Sequence, residues 1–187
     1  MKKLVNKQED ILLSLYDEPF INQRILSEIT GHSLGIVNKS IKSLIKSDYL
    51  DDDIRLTIKA RESIKKKAPK NAIILAAGFG MTMVPINLET PKALLEINGD
   101  ALIERTIKQL REVGVKNIYI VVGFLKERFE YLIDEYGVEL IVNEEYETKN
   151  NLHSLALVAD KITNTYIIPG DVWCDRNPFR KNELYSW

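Results

Sequence analysis

The chain of 187 residues holds one cysteine, Cys174, and two histidines, His32 and His153. A disulfide framework needs paired thiols and a structural zinc site needs clustered Cys and His ligands, so neither holds this fold together. Long apolar runs are missing too. The longest, Ala72–Ala77 and Ile118–Val122, fall well short of the ~20 residues of a membrane span. The opening MKKLVNKQED is basic but has no apolar stretch behind it, so it does not read as a secretory signal. With 45% apolar and 28% charged residues, disordered and collagen-like compositions are excluded. The expectation is a soluble cytoplasmic protein without a membrane partner, with length for one domain or two small ones.

Charge of one sign is also lacking overall, at a net of −1, but this hides a split. Residues 1–70 carry 14 Lys/Arg and 10 Asp/Glu, a net of +4, and residues 71–187 carry 12 and 17, a net of −5. The sign changes at Lys65-Lys66-Lys67-Ala68-Pro69-Lys70. That run has no apolar period to bury, and Pro69 disfavours helix before it. The expected division is a domain at 1–67, a linker at 68–70 and a domain at 71–187.

In the first segment, Ile11, Leu12, Leu15 and Tyr16 share one helix face, and Pro19 ends that helix. Asn22 suits the N-cap of a short helix carrying Ile25, Leu26 and Ile29, with Gly31 at its C′ position. Ser33 then caps a third helix with Val37, Ile41, Leu44 and Ile45 inward and Asn38, Lys39, Lys42 and Lys46 outward. Tyr49-Leu50, the turn Asp51-Asp52-Asp53 and Ile54–Ile58 read as a β-wing, and Lys59–Lys67 as a further helix. Helix, short helix, turn, third helix and wing make a winged helix-turn-helix. The segment Gln23–Leu50 resembles bacterial regulators of that class, such as the MarR-like families. The resemblance implies that the third helix enters a major groove of duplex DNA, with Ser33, Asn38, Lys39 and Lys42 as candidate contacts. A solvated helix face explains the same lysines equally well, and three aspartates at the tip disfavour a wing lying on phosphates.

The second segment alternates apolar strands (71–77, 115–122, 138–142, 166–168) with helical patterns (101–113, 125–136, 152–162). Such alternation predicts a mainly parallel sheet covered by helices on both faces, which binds ligands at the carboxyl ends of its strands. The first strand ends in Gly78-Phe79-Gly80. Two glycines admit close approach of a ligand and can aim N–H groups at phosphate oxygens, although a plain turn has the same composition. The loop lacks the third glycine of the dinucleotide fingerprint and the Gly-Lys-Ser/Thr of a Walker A loop.

Downstream stands Thr90-Pro91-Lys92-Ala93-Leu94-Leu95. The pattern LAAGFG–x4–P–x5–PKALL resembles the signature of sugar-nucleotide pyrophosphorylases and related nucleotidyltransferases. Val121–Phe124, Val142–Glu144 and Asn150–Leu155 resemble the phosphocholine cytidylyltransferase branch, and the likeness runs from Ala72 to about Phe179. The resemblance implies a Rossmann-like α/β fold and transfer of a nucleotidyl group from CTP or another NTP to phosphocholine or a similar phosphomonoester. Its implied residues are Leu75, Ala76, Ala77, Gly78, Phe79 and Gly80 around the nucleotide, Lys92 on phosphate and Asp171 on Mg²⁺. Asn150 and Asn151 could read a pyrimidine or simply cap a helix. Trp173 could hold a quaternary ammonium by its ring face or pack the sheet edge. Cys174 reads as packing, and His153 has no second ligand near it in sequence.

Two departures from the family pattern matter. Thr82 stands where the family has an arginine that stabilises the leaving pyrophosphate, which implies a weakened enzyme. The family also continues past the position of Trp187 with more sheet, acceptor pocket and a second metal-binding aspartate. The chain therefore reads as C-terminally truncated, a fragment or a short form, with an incomplete active site. Two rival functions share these features: a transcription regulator sensing a nucleotide through a disabled transferase fold, and a sugar-1-phosphate nucleotidyltransferase. A homodimer is compatible with all three.

Overall fold

The computed structural model describes residues 4–19, 22–78 and 89–181. The chain divides into two compact units, with the boundary between Ala68 and Pro69. Lys70 already belongs to the second unit, where its carbonyl accepts from the N–H groups of Lys116 and Asn117 at 2.9 and 3.0 Å.

The first unit contains α1 (Asn6–Asp17), α2 (Gln23–Thr30), α3 (Leu34–Lys46) and α4 (Ile58–Lys67). Ile11, Leu12, Leu15, Leu26, Val37, Ile41 and Leu44 meet in its core. Glu9 is buried at the edge of that core and is neutralised by an ion pair with Lys67. The Asn22 side chain accepts from the N–H groups of Arg24 and Ile25, both at 3.0 Å, and Gly31 closes α2 in the left-handed region at φ 67°. Of the apolar residues on α2, only Leu26 is buried, while Ile25 and Ile29 remain exposed. Ser33 occupies the N-cap of α3, but its side chain makes no capping bond.

The wing is shorter than its sequence pattern suggests. It reduces to a single antiparallel bridge between Leu50 and Leu56. The Asp51 carboxylate accepts from the N–H groups of Asp53 and Arg55 and tightens the turn. Thr57 is recruited to cap α4 through Ala60 N–H, so Ile58 enters the helix instead of extending a strand.

The second unit is built on four parallel strands: β1 (Asn71–Ala76), β4 (Asn117–Val122), β5 (Glu139–Val142) and β6 (Thr165–Pro169), in the order β5-β4-β1-β6. A small hairpin, β2 (Glu96–Ile97) and β3 (Asp100–Ala101), turns at Asn98-Gly99 and leads into α5 (Leu102–Glu112). One sheet face packs Ala72, Ile74, Ile118, Ile120 and Val122 against Ile103, Ile107 and Leu110 of α5 and against Phe129 and Leu132. The other gathers Ile73, Ala77, Val121 and Val158. Burial on both faces explains the unbroken apolar run of β1.

Two expected helices are divided. Residues 125–136 form a 3₁₀ turn, Lys126–Phe129, and the short helix α6 (Tyr131–Tyr136). Leu125 enters the turn at φ 49°, and Phe129 at its end and Leu132 in α6 are buried in one core. Residues 152–162 form α7 (Asn151–Ala156) and a 3₁₀ turn, Ala159–Lys161. Only Val158 of the later apolar residues is buried there; Leu157 and Ile162 are exposed, so no continuous apolar stripe sustains a longer helix.

Candidate active site

The chain runs from β1 out through β4 to β5, then returns to place β6 on the opposite side of β1. The direction of winding therefore reverses between β1 and β6. Open α/β sheets bind ligands outside the carboxyl ends of strands at such a reversal. A cleft of about 140 Å³ lies at this point, lined by Leu75, Ala76 and Gly78 after β1, Pro169, Gly170 and Asp171 after β6, Lys92 and Ala93, and Asn151 of α7.

The floor is set by a close approach. Gly170 N–H donates to Leu75 O at 2.8 Å. A Cβ on Gly170 would stand 2.9 Å from Ala76 Cβ and 3.2 Å from both Ala93 Cβ and Leu75 O. Glycine is therefore required by packing at that position. At Gly78 an added Cβ meets nothing within 4 Å, so packing against the described residues does not require that glycine.

Lys92 follows Pro91 on a 3₁₀ turn, Lys92–Leu94, whose middle residue, Ala93, is buried beneath the cleft. Its Nζ donates to Asp171 Oδ2 at 2.6 Å, joining two residues 79 positions apart. The side chains are 31% and 37% exposed. A pair open to this degree is worth about 0–1 kcal/mol. A bond this weak and this open leaves the ammonium free to exchange the carboxylate for an incoming phosphate oxygen.

Magnesium takes hard oxygen ligands and shares them with substrate phosphates. Among the described residues no group of three or more His, Cys, Asp or Glu could hold a metal alone. The donor chemistry fits a cation held by the Asp171 carboxylate together with a ligand's phosphates.

Other candidates separate. Ala77 is buried with Ile73 and Val121 on the opposite face, with its carbonyl accepting from Phe124 N–H at 3.2 Å, so it does not line the cleft. Asn150 is committed to helix capping, its Oδ1 accepting from Leu152 N–H at 3.0 Å, while Asn151 stands at the cleft. Trp173 does not line the cleft either, and the Arg105 guanidinium covers a face of its ring at 4.5 Å. Of the two roles open to Trp173, a contact with a quaternary ammonium and packing at the sheet edge, this one contact is internal to the chain. His153 pairs with Glu145 at 3.0 Å. Phe79, Gly80 and Thr82 lie outside the described residues.

Three site residues carry no role in the sequence reading. Buried Asn143 donates from Nδ2 to Ser154 Oγ at 3.0 Å, accepts from Glu145 N–H, and thereby fixes α7 beside the cleft. Gly123 is enforced by the Tyr146 ring and Ala77 O, each within 2.8 Å of an added Cβ. Arg105 is the third. A polar or glycine residue directly after an apolar strand could have flagged Asn143 and Gly123; nothing in sequence flags Arg105. Away from the cleft, Glu104 accepts from the hydroxyls of Tyr131 and Tyr136 at 2.7 and 3.0 Å. Burial, and then the hydrogen bond to Glu104, push both phenols above the ordinary tyrosine range.

On the first unit, Ser33, Lys39 and Lys42 are exposed and Asn38 is half-buried, so the outward face of α3 is the expected one.

Residues 72–176 match the family model described as a MobA-like NTP transferase domain. The chain belongs to this family. Residues 6–51 match a model described as winged helix-turn-helix DNA-binding. The chain is 46% identical over 111 residues to a choline-phosphate cytidylyltransferase of Streptococcus pneumoniae (strain ATCC BAA-255 / R6), covering 59% of this chain and 48% of that protein. It is 45% identical over 116 residues to a choline-phosphate cytidylyltransferase of Haemophilus influenzae (strain ATCC 51907 / DSM 11121 / KW20 / Rd), covering 62% and 50%. The solved structure of CTP:phosphocholine cytidylyltransferase (LicC) from Streptococcus pneumoniae aligns with a TM-score of 0.60 at 44% identity, over 62% of this chain and 50% of that one. The chain thus spans about half the length of the curated relatives it matches. Among the described residues no helix is long and apolar enough to cross a membrane.

Proposed function

We propose that this protein transfers a cytidylyl group from CTP to phosphocholine or a similar small phosphomonoester and releases pyrophosphate. The observation that carries the reading is the Lys92–Asp171 pair at the mouth of a cleft sited where the sheet reverses. An oxygen of the acceptor phosphate attacks the α-phosphorus of CTP and forms a new P–O bond. The bond from the α-phosphorus to the bridging oxygen breaks, and its electron pair leaves on pyrophosphate. The acceptor is already an anion, so the chain need not supply a base. Its work is positioning and charge stabilisation. Lys92 exchanges its carboxylate partner for phosphate oxygens. Gly78 leaves its backbone open to the triphosphate, and Asn151 offers an amide to the base. Asp171, once released, is the protein ligand for Mg²⁺, which supplies charge neutralisation on the phosphates when bound.

The test is pyrophosphate release over a panel of nucleotides and acceptors. CTP with phosphocholine should lead, and Lys92→Ala should reduce the rate and weaken calorimetric CTP binding. Preference for a sugar 1-phosphate replaces the acceptor assignment. Absence of nucleotide binding with Mg²⁺ overturns the reading.

A second activity is supported by the exposed lysines of α3: the first unit binds duplex DNA. Retention of duplex DNA by the whole chain should fall by about one log-log unit of salt per phosphate contacted. Lys39→Ala with Lys42→Ala should flatten that slope, and no retention at low salt removes DNA as a partner.

A further inference from the structure

We infer that Arg105, assisted by Gln109, is a positioning residue that aims the Asp171 carboxylate into the cleft; this rests on the nucleotidyl-transfer reading above. Asp171 sits between two anchors. Before it, Gly170 N–H is bonded to Leu75 O in the strand ladder. After it, residues 172–180 have no helix or strand of their own. Tyr166 of β6 holds the far end at Phe179 and Arg180, and a row of side chains on α5 holds the part next to Asp171.

Arg105 Nε donates to Cys174 O at 2.9 Å, and its Nη2 donates to Asp175 O. The same guanidinium stacks on Trp173. Gln109, almost fully buried, donates from Nε2 to Cys174 O at 2.9 Å. One turn on, Asn177 Nδ2 donates to Gln109 O and to Glu112 Oε2 at 2.9 and 2.8 Å. Positions 105, 109 and 112 repeat at helical spacing and so share one face of α5. The helix also carries the other half of the pair: Leu102 N–H donates to Leu95 O at 3.1 Å, directly after the turn that bears Lys92. One rigid element therefore sets both Lys92 and Asp171.

Arginine suits this task. A planar fork can bond two successive carbonyls while its face lies on an indole, and an ammonium can do only one of these at a time. Without the fork, the segment after Asp171 loses its bond at Asp175 O and keeps at Cys174 O only the one from Gln109, and the carboxylate gains freedom where a cation must be met.

The experiment is calorimetric CTP binding to the whole chain over a series of Mg²⁺ concentrations, with the melting temperature of each variant as a control. Residues that orient a metal ligand typically change metal affinity by about 10–100-fold. Arg105→Ala should raise the Mg²⁺ needed for half-maximal effect by about tenfold, and leave CTP affinity at saturating Mg²⁺ within about twofold. Arg105→Lys, which keeps the charge and the fold, should still shift the requirement by about threefold or more. Free guanidinium should restore part of the loss in Arg105→Ala and none in Asp171→Asn. A merely structural arginine would lower the melting temperature and leave the Mg²⁺ requirement where it is in both variants, and that result overturns the inference. If the wild-type chain binds CTP but Asp171→Asn keeps its Mg²⁺ requirement, Asp171 is not the ligand and the inference fails with the nucleotide site intact. A wild-type chain that binds no CTP overturns the reading beneath it.

Discussion

Replacing Gly170 by alanine tests the geometry of the cleft floor. Carbon atoms in contact prefer about 3.5–4.0 Å. The new Cβ would lie 2.9 Å from Ala76 Cβ and 3.2 Å from Ala93 Cβ and Leu75 O. Two of these neighbours are β-carbons that no rotamer change can withdraw, and the third is main chain inside the sheet. Relief requires β6 and β1 to part at their carboxyl ends, against the 2.8 Å bond from Gly170 N–H to Leu75 O. Overpacking costs about 1–3 kcal/mol, and a weakened hydrogen bond adds about 0.5–1.5 kcal/mol. A loss of about 2–4 kcal/mol follows. With a urea m-value of about 2 kcal/mol/M, the midpoint for the second unit falls by about 1–2 M at unchanged m. CTP binding should weaken in parallel, because Asp171 is the next residue. Gly35→Ala is the control: an added Cβ on α3 meets nothing within 4 Å, and alanine in a helix gains up to about 1 kcal/mol. Gly170→Ala within about 0.5 kcal/mol of wild type, the usual range of a surface change, would refute the close approach.

Asn22→Ala strips two N–H groups of α2 of their acceptor and should cost about 1 kcal/mol, read from urea unfolding of the first unit. The raised phenols of Tyr131 and Tyr136 hold their protons in the fold at a pH where the unfolded chain, titrating near 10, releases them. Their contribution is complete below about pH 10 and is lost as pH rises beyond it, so Tyr131→Phe should flatten the fall in melting temperature above about pH 10. In a chain extended past Trp187, and with the loop after Gly80 placed as the family resemblance implies, Thr82→Arg supplies a fork able to bind two phosphate oxygens at once and should raise cytidylyl transfer by about 10²–10³, mainly in kcat. An unchanged rate would mean that Thr82 does not stand at the family's arginine position in space, or that another cation already serves the pyrophosphate.

Local chemistry with one dominant solution was legible. Asn22 and Gly31 bracket α2 because each supplies something the helix ends lack, an acceptor and a left-handed residue. The run at β1 reads as a strand buried on both faces because only a central parallel strand needs that. Where two solutions compete, sequence alone does not choose between them. Residues 54–58 have strand composition, yet Thr57 serves α4 as a cap and takes Ile58 with it. Asn150 and Asn151 are alike in sequence, but the helix start consumes one amide oxygen and leaves the neighbouring residue at the cleft.

The candidate site adds a different kind of illegibility. Lys92 and Asp171 each stand out within a motif, but their direct pairing depends on the order of strands, which sequence distance does not reveal. Arg105 stands in no motif at all. On α5 the apolar positions Ile103, Ile107 and Leu110 announce the face toward the sheet. Arg105, Gln109 and Glu112 lie off that stripe and bind an irregular segment, Arg105 and Gln109 at its carbonyls and Glu112 at the Asn177 amide. Hydrophobic periodicity identifies what a helix buries in its core. It is silent on polar side chains satisfied by main chain, because their partners have no pattern of their own. Trp173 shows the consequence: an aromatic near an acidic residue suggests a cation from outside, and the cation over its ring is the chain's own Arg105.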